Sequence, residues 1–302
     1  MKSSAGRAMP CGQPQGPDAV NFGIRSDPLP RRDVFTLLLV RLDDMDLTSS
    51  AATVGRPKAA LHDDVRPGWS ADTISWLLGS PSPGHRLAVL DLGAGTGLGT
   101  RTIATLGHDV TAVDTAVDML SVLQSVREEL PHPVARRITT ATGSAEDIPL
   151  ENQSVDAITC LQAWHWVNPV RAIAECDRVL IAGGVVGLAW HTWDRSSNWV
   201  KALTAIVEPD GVPADQTRSV PAEFAGRGTF ERKLFPFNYE LQVDQLVQLA
   251  SSWTFVSHRS DQDRVLARIR SLGEEAASPE TGIVAFPHIT AAFRLSGPPE
   301  LP

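Results

Sequence analysis

The chain has 302 residues, 42% hydrophobic and 21% charged, which is enough for one large core or one core with appendages. Its 27 Lys and Arg stand against 35 Asp and Glu, and the resulting net charge of −8 argues against a broad phosphate-binding surface and hence a nucleic-acid partner. No apolar run approaches the ~20 residues of a membrane-spanning helix. The three cysteines, Cys11, Cys160 and Cys176, are odd in number and lack metal-ligand spacing, which fits a reducing, cytoplasmic setting without a metal site.

Residues 1–46 are rich in Gly, Pro and Ser and without periodicity, so they are expected to be a disordered or spurious extension, with Met45 as an alternative start. Residues 47–84 form a separate segment containing Arg66-Pro67-Gly68-Trp69. There Ser70 is placed to cap a short amphipathic helix, Ala71 to Leu78, stopped by Gly79. The main domain is expected over 85–295, with a disordered tail at 296–302.

The first strand, about His85 to Leu92, runs into Asp91-Leu92-Gly93-Ala94-Gly95-Thr96-Gly97, and a helical pattern follows from Leu98 to Leu106. A strand feeding a glycine loop that opens a helix is a nucleotide-cofactor turn, in which backbone N–H groups face the ligand. The dinucleotide pattern G-x-G-x-x-G fails in both registers, at Leu98 and at Thr100, which weighs against a nucleotide-dependent oxidoreductase. The second strand, His108 to Val113, ends in Asp114, where a parallel βαβ unit delivers a carboxylate beside the glycine loop. That carboxylate is suited to accept both hydroxyl hydrogens of a ribose, to cap the following helix, or both. Met119, in the first turns of that helix, is placed to cover one face of a ring.

Pro131 and Pro133 close that helix. A third strand, Arg137 to Ala141, precedes the loop Gly143-Ser144-Ala145-Glu146-Asp147-Ile148-Pro149. A fourth, Val155 to Leu161, delivers Gln162-Ala163-Trp164-His165-Trp166, an aromatic cluster with a histidine at a strand's carboxyl end, where a ligand crevice belongs. One of the two tryptophans is expected to face the core. A helix from Pro169 to Leu180 leads to a fifth strand, Val185 to Trp190, followed by His191. Beyond a helix around Trp199 to Val207 and a Pro- and Gly-spotted segment, 208–228, come a strand (Leu234 to Leu241) and two helices (Gln245 to Ser251, Asp261 to Leu272). A last strand lies within Ile283 to Leu295, where Pro287 points to an edge or a bulge.

The D-x-G-x-G-x-G motif, Asp114 with Met119, the Gly143-to-Pro149 loop, Gln162 to Trp166, and Arg178-Val179-Leu180 through Gly184 together resemble class I S-adenosylmethionine-dependent methyltransferases. The similarity is to relatives of the trans-aconitate and ubiquinone/menaquinone enzymes and covers about residues 60–295. It implies a Rossmann-like α/β fold with a seven-stranded, mostly parallel sheet ordered 3-2-1-4-5-7-6, the last strand antiparallel and helices on both faces. It also implies S-adenosylmethionine as cofactor, held by Asp91, Gly93, Ala94, Gly95, Gly97, Asp114, Met119, Ser144, Ala145, Glu146 and Gln162. The acceptor would be a small molecule near Trp164, His165, Trp166 and His191, with His165 as general base or orienting group.

Two departures from the family pattern stand out. The Phe-Gly-x-x-Ala-x-x-Tyr segment that helps close the site is replaced by Ala52-Thr53-Val54-Gly55 to Leu61-His62, without aromatic residues. Ser144 stands where an Asp is common. A non-catalytic S-adenosylmethionine-binding module is the competing reading. Amine methylation of bases or protein glutamine is disfavoured, because Gln162-Ala163-Trp164-His165 replaces Asn-Pro-Pro-aromatic and Asn168-Pro169-Val170 comes later. Neither the acceptor nor the choice between monomer and homodimer is legible.

Overall fold

The computed structural model describes residues 63, 65–82, 84–207, 224 and 227–297. The expectations for residues 1–46, for Ala52 to His62, for most of 208–228 and for 298–302 lie outside the described residues.

Seven strands form one sheet in the order β3-β2-β1-β4-β5-β7-β6. They are β1 (Ala88–Leu92), β2 (Asp109–Asp114), β3 (Ile138–Thr142), β4 (Val155–Leu161), β5 (Leu180–Trp193), β6 (Thr229–Gln242) and β7 (Ile283–Ser296). The pairs β1–β2, β1–β4, β2–β3 and β4–β5 are parallel, whereas β7 runs antiparallel to both β5 and β6. Parallel strands buried on both faces need continuous apolar runs, and β1 and β4 supply them: every residue of β4 but Asp156 is buried.

The helices are α1 (Ala71–Leu77), α2 (Leu98–Thr105), α3 (Val117–Glu129), α4 (His132–Ala135), α5 (Pro169–Val179), α6 (Asn198–Val207), α7 (Val243–Ser251), α8 (Thr254–Ser257) and α9 (Gln262–Ala276). Ser70 caps α1 by accepting the Thr73 N–H at 3.1 Å. This helix is integral to the core, since Ile74 and Leu77 are fully buried. Gly187 of β5 lets α1 approach so closely that an added Cβ would lie 2.9 Å from Leu77 Cβ. Arg294 of β7 completes the join by donating to the Trp76 carbonyl at 2.9 Å and lying 4.8 Å from the centre of its ring.

Three apolar clusters follow from this layout. One joins β4, β5 and β7 to α5 and contains both Cys160 and Cys176; a second holds α1, α2 and α3 against β1 and β2. A third gathers α6, α7 and α9 around Leu241, Val284 and Phe286 at the far end of the β6–β7 hairpin. The two cysteines are buried, free thiols, as small core residues should be, and burial raises both thiol pKa values, that of Cys176 to about 12.

Two expectations change. Pro287 does not mark an edge, because β7 lies between β5 and β6. It is tolerated at the end of the β5 ladder, one residue past the Trp193↔His288 pair, where its carbonyl accepts the Asp194 N–H at 2.9 Å and at most one terminal rung lacks its donor. Ser296, assigned to the tail, is a strand residue paired with both Val185 and Thr229.

Candidate active site

The carboxyl ends of β1, β2, β4 and β5 converge on one rim of the sheet. After β1 the backbone turns sharply through Gly93, Gly95 and Gly97, with φ of +71°, +56° and +82°. Gly93 and Ala94 both donate to the Val113 carbonyl, at 2.8 and 3.1 Å, which lays the loop over the end of β2. Side chains on the flanking glycines would collide: a Cβ on Gly93 would come within 2.5 Å of Ala163 Cβ, and one on Gly97 within 2.3 Å of Leu123. A Cβ on Gly95 would meet nothing within 4 Å, so the middle of the loop borders open space.

Asp114 closes the other side of that space. One carboxylate oxygen accepts the Gly95 N–H at 2.8 Å and the other accepts the Ala116 N–H at 2.8 Å. The capping role is therefore present, and each oxygen keeps a lone pair for a further donor. Met119 lies half-buried one helical turn further on.

Asp91 sits elsewhere than a ligand contact would. It is 1% exposed, accepting from Thr100 Oγ1 at 2.6 Å and Thr159 Oγ1 at 3.0 Å. It ties β1, α2 and β4 together beneath the loop, and its burial raises the carboxyl pKa to about 6.

The loop after β3 is a tight turn in which Ser144 Oγ accepts the Glu146 N–H at 3.2 Å. Glu146, a candidate ring contact, commits one oxygen to the Asn168 N–H at 2.6 Å, and Ala145 turns its methyl into the core. The loop is clasped from below by Arg178, which donates to the carbonyls of Leu150 and Ile148 at 2.7 and 2.8 Å. Glu175, paired with Arg178, accepts the Ile148 N–H at 2.8 Å.

At the end of β4, Gln162 adopts φ +60°, a left-handed conformation uncommon for a residue with a side chain. Its N–H donates to the Ala189 carbonyl at 2.9 Å, and its side-chain amide points to the His191 carbonyl at 3.5 Å. A 3-10 turn, Trp164–Trp166, follows. As expected of one tryptophan, Trp164 faces the core, packed on Phe224 at 4.9 Å, which removes it from the acceptor candidates. Trp166 is 66% exposed, and its ring lies 4.5 Å from that of His165. Desolvation by its neighbours lowers the pKa of His165 below the ordinary imidazole value, which favours the neutral ring.

His191 is enclosed rather than presented. Trp69 stacks on it at 3.9 Å and Phe237 packs edge-on at 5.0 Å, while Nδ1 shares a 2.9 Å hydrogen bond with Thr290 Oγ1. Burial drives its pKa to about 3, which makes it unfit as a base that must cycle near neutrality. The wall extends through Phe237 stacked on His288 at 5.3 Å to Tyr239. Sequence reasoning missed Trp69, Phe237, Tyr239 and His288 as a group. The one available signal was Trp69 itself, the lone Phe, Tyr or Trp between residues 47 and 75, set just before a helix cap.

The sheet order with its antiparallel β7, helices on both faces and a glycine loop under a carboxylate define a Rossmann-like class I methyltransferase fold. The model of a methyltransferase domain matches residues 90–188. The uncharacterized methyltransferase Rv3342 of Mycobacterium tuberculosis is 38% identical over 254 residues, covering 83% of this chain and 96% of that protein. An uncharacterized methyltransferase of Schizosaccharomyces pombe, C25B8.09, is 32% identical over 200 residues, 65% of this chain and 76% of that protein. The structure of a proposed type II methyltransferase from Anaeromyxobacter dehalogenans superposes with a TM-score of 0.56 at 23% identity, covering 77% of this chain and 97% of that one. The chain belongs to the class I S-adenosylmethionine-dependent methyltransferases. Among the described residues no helix is long and apolar enough to cross a membrane.

Proposed function

We propose that the rim formed by β1, β2 and β4 holds S-adenosylmethionine and that its methyl group passes to an oxygen, carboxylate or hydroxyl, of a small-molecule acceptor. The observation that carries this reading is the Asp114 carboxylate fixed against the Gly95 N–H beside open space. A ribose fits there: its hydroxyls would use the remaining lone pairs of Asp114, and no Cβ bars its approach to the loop at Gly95. Gly93, Ala94 and Gly97 shape the cradle, with Asp91 as its buried tie. Met119 would cover the adenine, and the Ser144–Ala145–Glu146 backbone would edge it. Gln162, pinned in its left-handed conformation, would orient the end that carries the methyl group.

The sulfonium of the cofactor supplies an activated leaving group, so the chain's task is alignment and exclusion of water rather than bond polarisation. The wall around Trp69 would supply the apolar enclosure that such exclusion needs. A carboxylate acceptor is already a nucleophile and requires no base. For a hydroxyl, His165 is neutral and at the rim, and would accept the proton as the oxygen attacks.

The test is calorimetric titration of S-adenosylhomocysteine into the wild-type chain, Gly95→Val and Asp114→Ala. Binding to the wild type and its loss in both variants, with circular dichroism unchanged, is the expected result. Unchanged affinity in both variants sinks the assignment.

A further inference from the structure

At the end of the sheet opposite the rim, β1 and β2 are joined through an imidazole. His108, just ahead of β2, is 5% exposed, and its Nδ1 accepts the Leu87 N–H at 3.2 Å. The Leu87 carbonyl accepts the Asp109 N–H at 2.9 Å, so both backbone polar groups of Leu87 are spent on residues 108 and 109. A backbone N–H can only donate, so Nδ1 must carry a lone pair and the closed junction holds a neutral ring. A proton on Nδ1 would set one N–H against another and leave the Leu87 donor without an acceptor inside a buried junction.

The surroundings offer a charged ring no counter-ion of its own. Arg137 and His85 both disfavour the imidazolium, and only Asp109 favours it. Asp109 is already shared between Arg86 and Arg137, and Arg137 Nη1 is itself buried without a hydrogen-bond partner. Burial and these two neighbours hold the His108 pKa below the ordinary imidazole value. The junction also matters for what the strands carry. The register Ala88↔Asp109 through Leu92↔Val113 leads from it to the glycine loop on one strand and to Asp114 on the other.

We propose that His108 is an acid-sensitive latch: neutral, it fastens the start of β1 to β2, and protonated, it turns out to water and lets that end of the pair open while the rest of the sheet stays folded. The sign follows from the lowered pKa, because the closed junction binds fewer protons than the open one. Closure is complete above the ordinary imidazole value of ~6.5 and is lost as pH falls from there toward the lowered value, by up to about tenfold per pH unit. His165, His191 and His288 are lowered in the same direction, so the difference between wild type and a His108 variant is the quantity that isolates the latch.

The experiment is backbone hydrogen exchange on the full chain, corrected for intrinsic rates, between about pH 7.5 and 5.5. It compares wild type with His108→Asn, whose side-chain oxygen can accept the Leu87 N–H but cannot titrate, and with Arg137→Met, which removes the neighbouring charge. In wild type, protection at Leu87 is expected to fall by about tenfold or more over that range while Ile158 in β4 keeps its own. The fall should be absent in His108→Asn and smaller in Arg137→Met. A nuclear magnetic resonance titration of the wild-type imidazoles should place His108 below ~6.5 and decides the matter even if His108→Asn fails to fold. The proposal is overturned if wild-type Leu87 keeps its protection, if Ile158 loses protection in step with it, if His108→Asn shows the same fall, or if His108 titrates at or above the ordinary value.

Discussion

The two halves of the site are built from different materials. Around β1, β2 and β4 the geometry is set by main chain: glycines at positive φ, N–H groups of Gly93 and Ala94 on one carbonyl, and a carboxylate that gathers two more. Around β5, β7 and β6 it is set by side chains from distant places, with Trp69, His191, Phe237 and His288 spanning over two hundred residues of chain yet stacked in one row. The first half is specified by a short stretch and tolerates little change in backbone. The second depends on long-range packing.

Substitutions should separate these two kinds of specification. The largest expected effect is from Trp69→Ala, which removes a buried ring and the cover of His191, at a cost of ~3–5 kcal/mol in denaturant unfolding. If Trp69 belongs to the acceptor side, affinity for S-adenosylhomocysteine in the surviving folded protein stays within error of wild type. A comparable loss is expected from Gly93→Ala, because Ala163 has no rotamer with which to move aside and φ is +71°; together these cost ~2–5 kcal/mol. Gly95→Ala, with open space but φ +56°, should cost only ~1–2 kcal/mol. Equal losses at Gly93 and Gly95 would erase the distinction between packed and ligand-facing glycines.

A smaller and more diagnostic change is His165→Gln. Since the His165 pKa lies below the usual imidazole value, a reaction using it as base should rise with pH on the acid side and be flat at neutrality. His165→Gln should lower kcat by roughly 10²-fold or more for a hydroxyl acceptor and barely change it for a carboxylate, as read by methyl incorporation.

The smallest effect concerns Asp91. Its folded pKa of about 6 lies above the value of an unfolded aspartate, so the folded state binds the extra proton. The corresponding stability is full below ~pH 4 and is lost as pH rises through about 6. Between pH 5 and 7 this amounts to ~1 kcal/mol, and Asp91→Asn should flatten that part of the stability profile. An unaltered slope would mean that Asp91 is ionised at no cost, despite its burial.

How much of this was legible follows from the same contrast. The strand, glycine loop and helix at β1, and Asp114 at the end of β2, could be read from local pattern because each kind of element leaves its own period, whereas the sheet order came only with the family resemblance. The extents of β5 and β6 could not be read in that way. β6 and the far end of β5 continue beyond their apolar runs because β7 pairs there, while β5 begins early, at Leu180, by pairing with Val155 of β4; the period-two signal of β6 is diluted by Arg232, Lys233 and Pro236 on an exposed edge. Trp164 and Trp166 carry no mark that tells which one turns inward. Asp91 reads as a ligand contact because of its place in the motif, and only Thr100 and Thr159, far apart in sequence, reveal it as a tie.

The clasp made by Arg178 has a consequence for rigidity. It grips the turn after β3 from α5, while Glu146 of that turn grips the Asn168 N–H at the start of the same helix. Turn and helix therefore move as one body, so that the turn after β3 cannot loosen without carrying α5 with it.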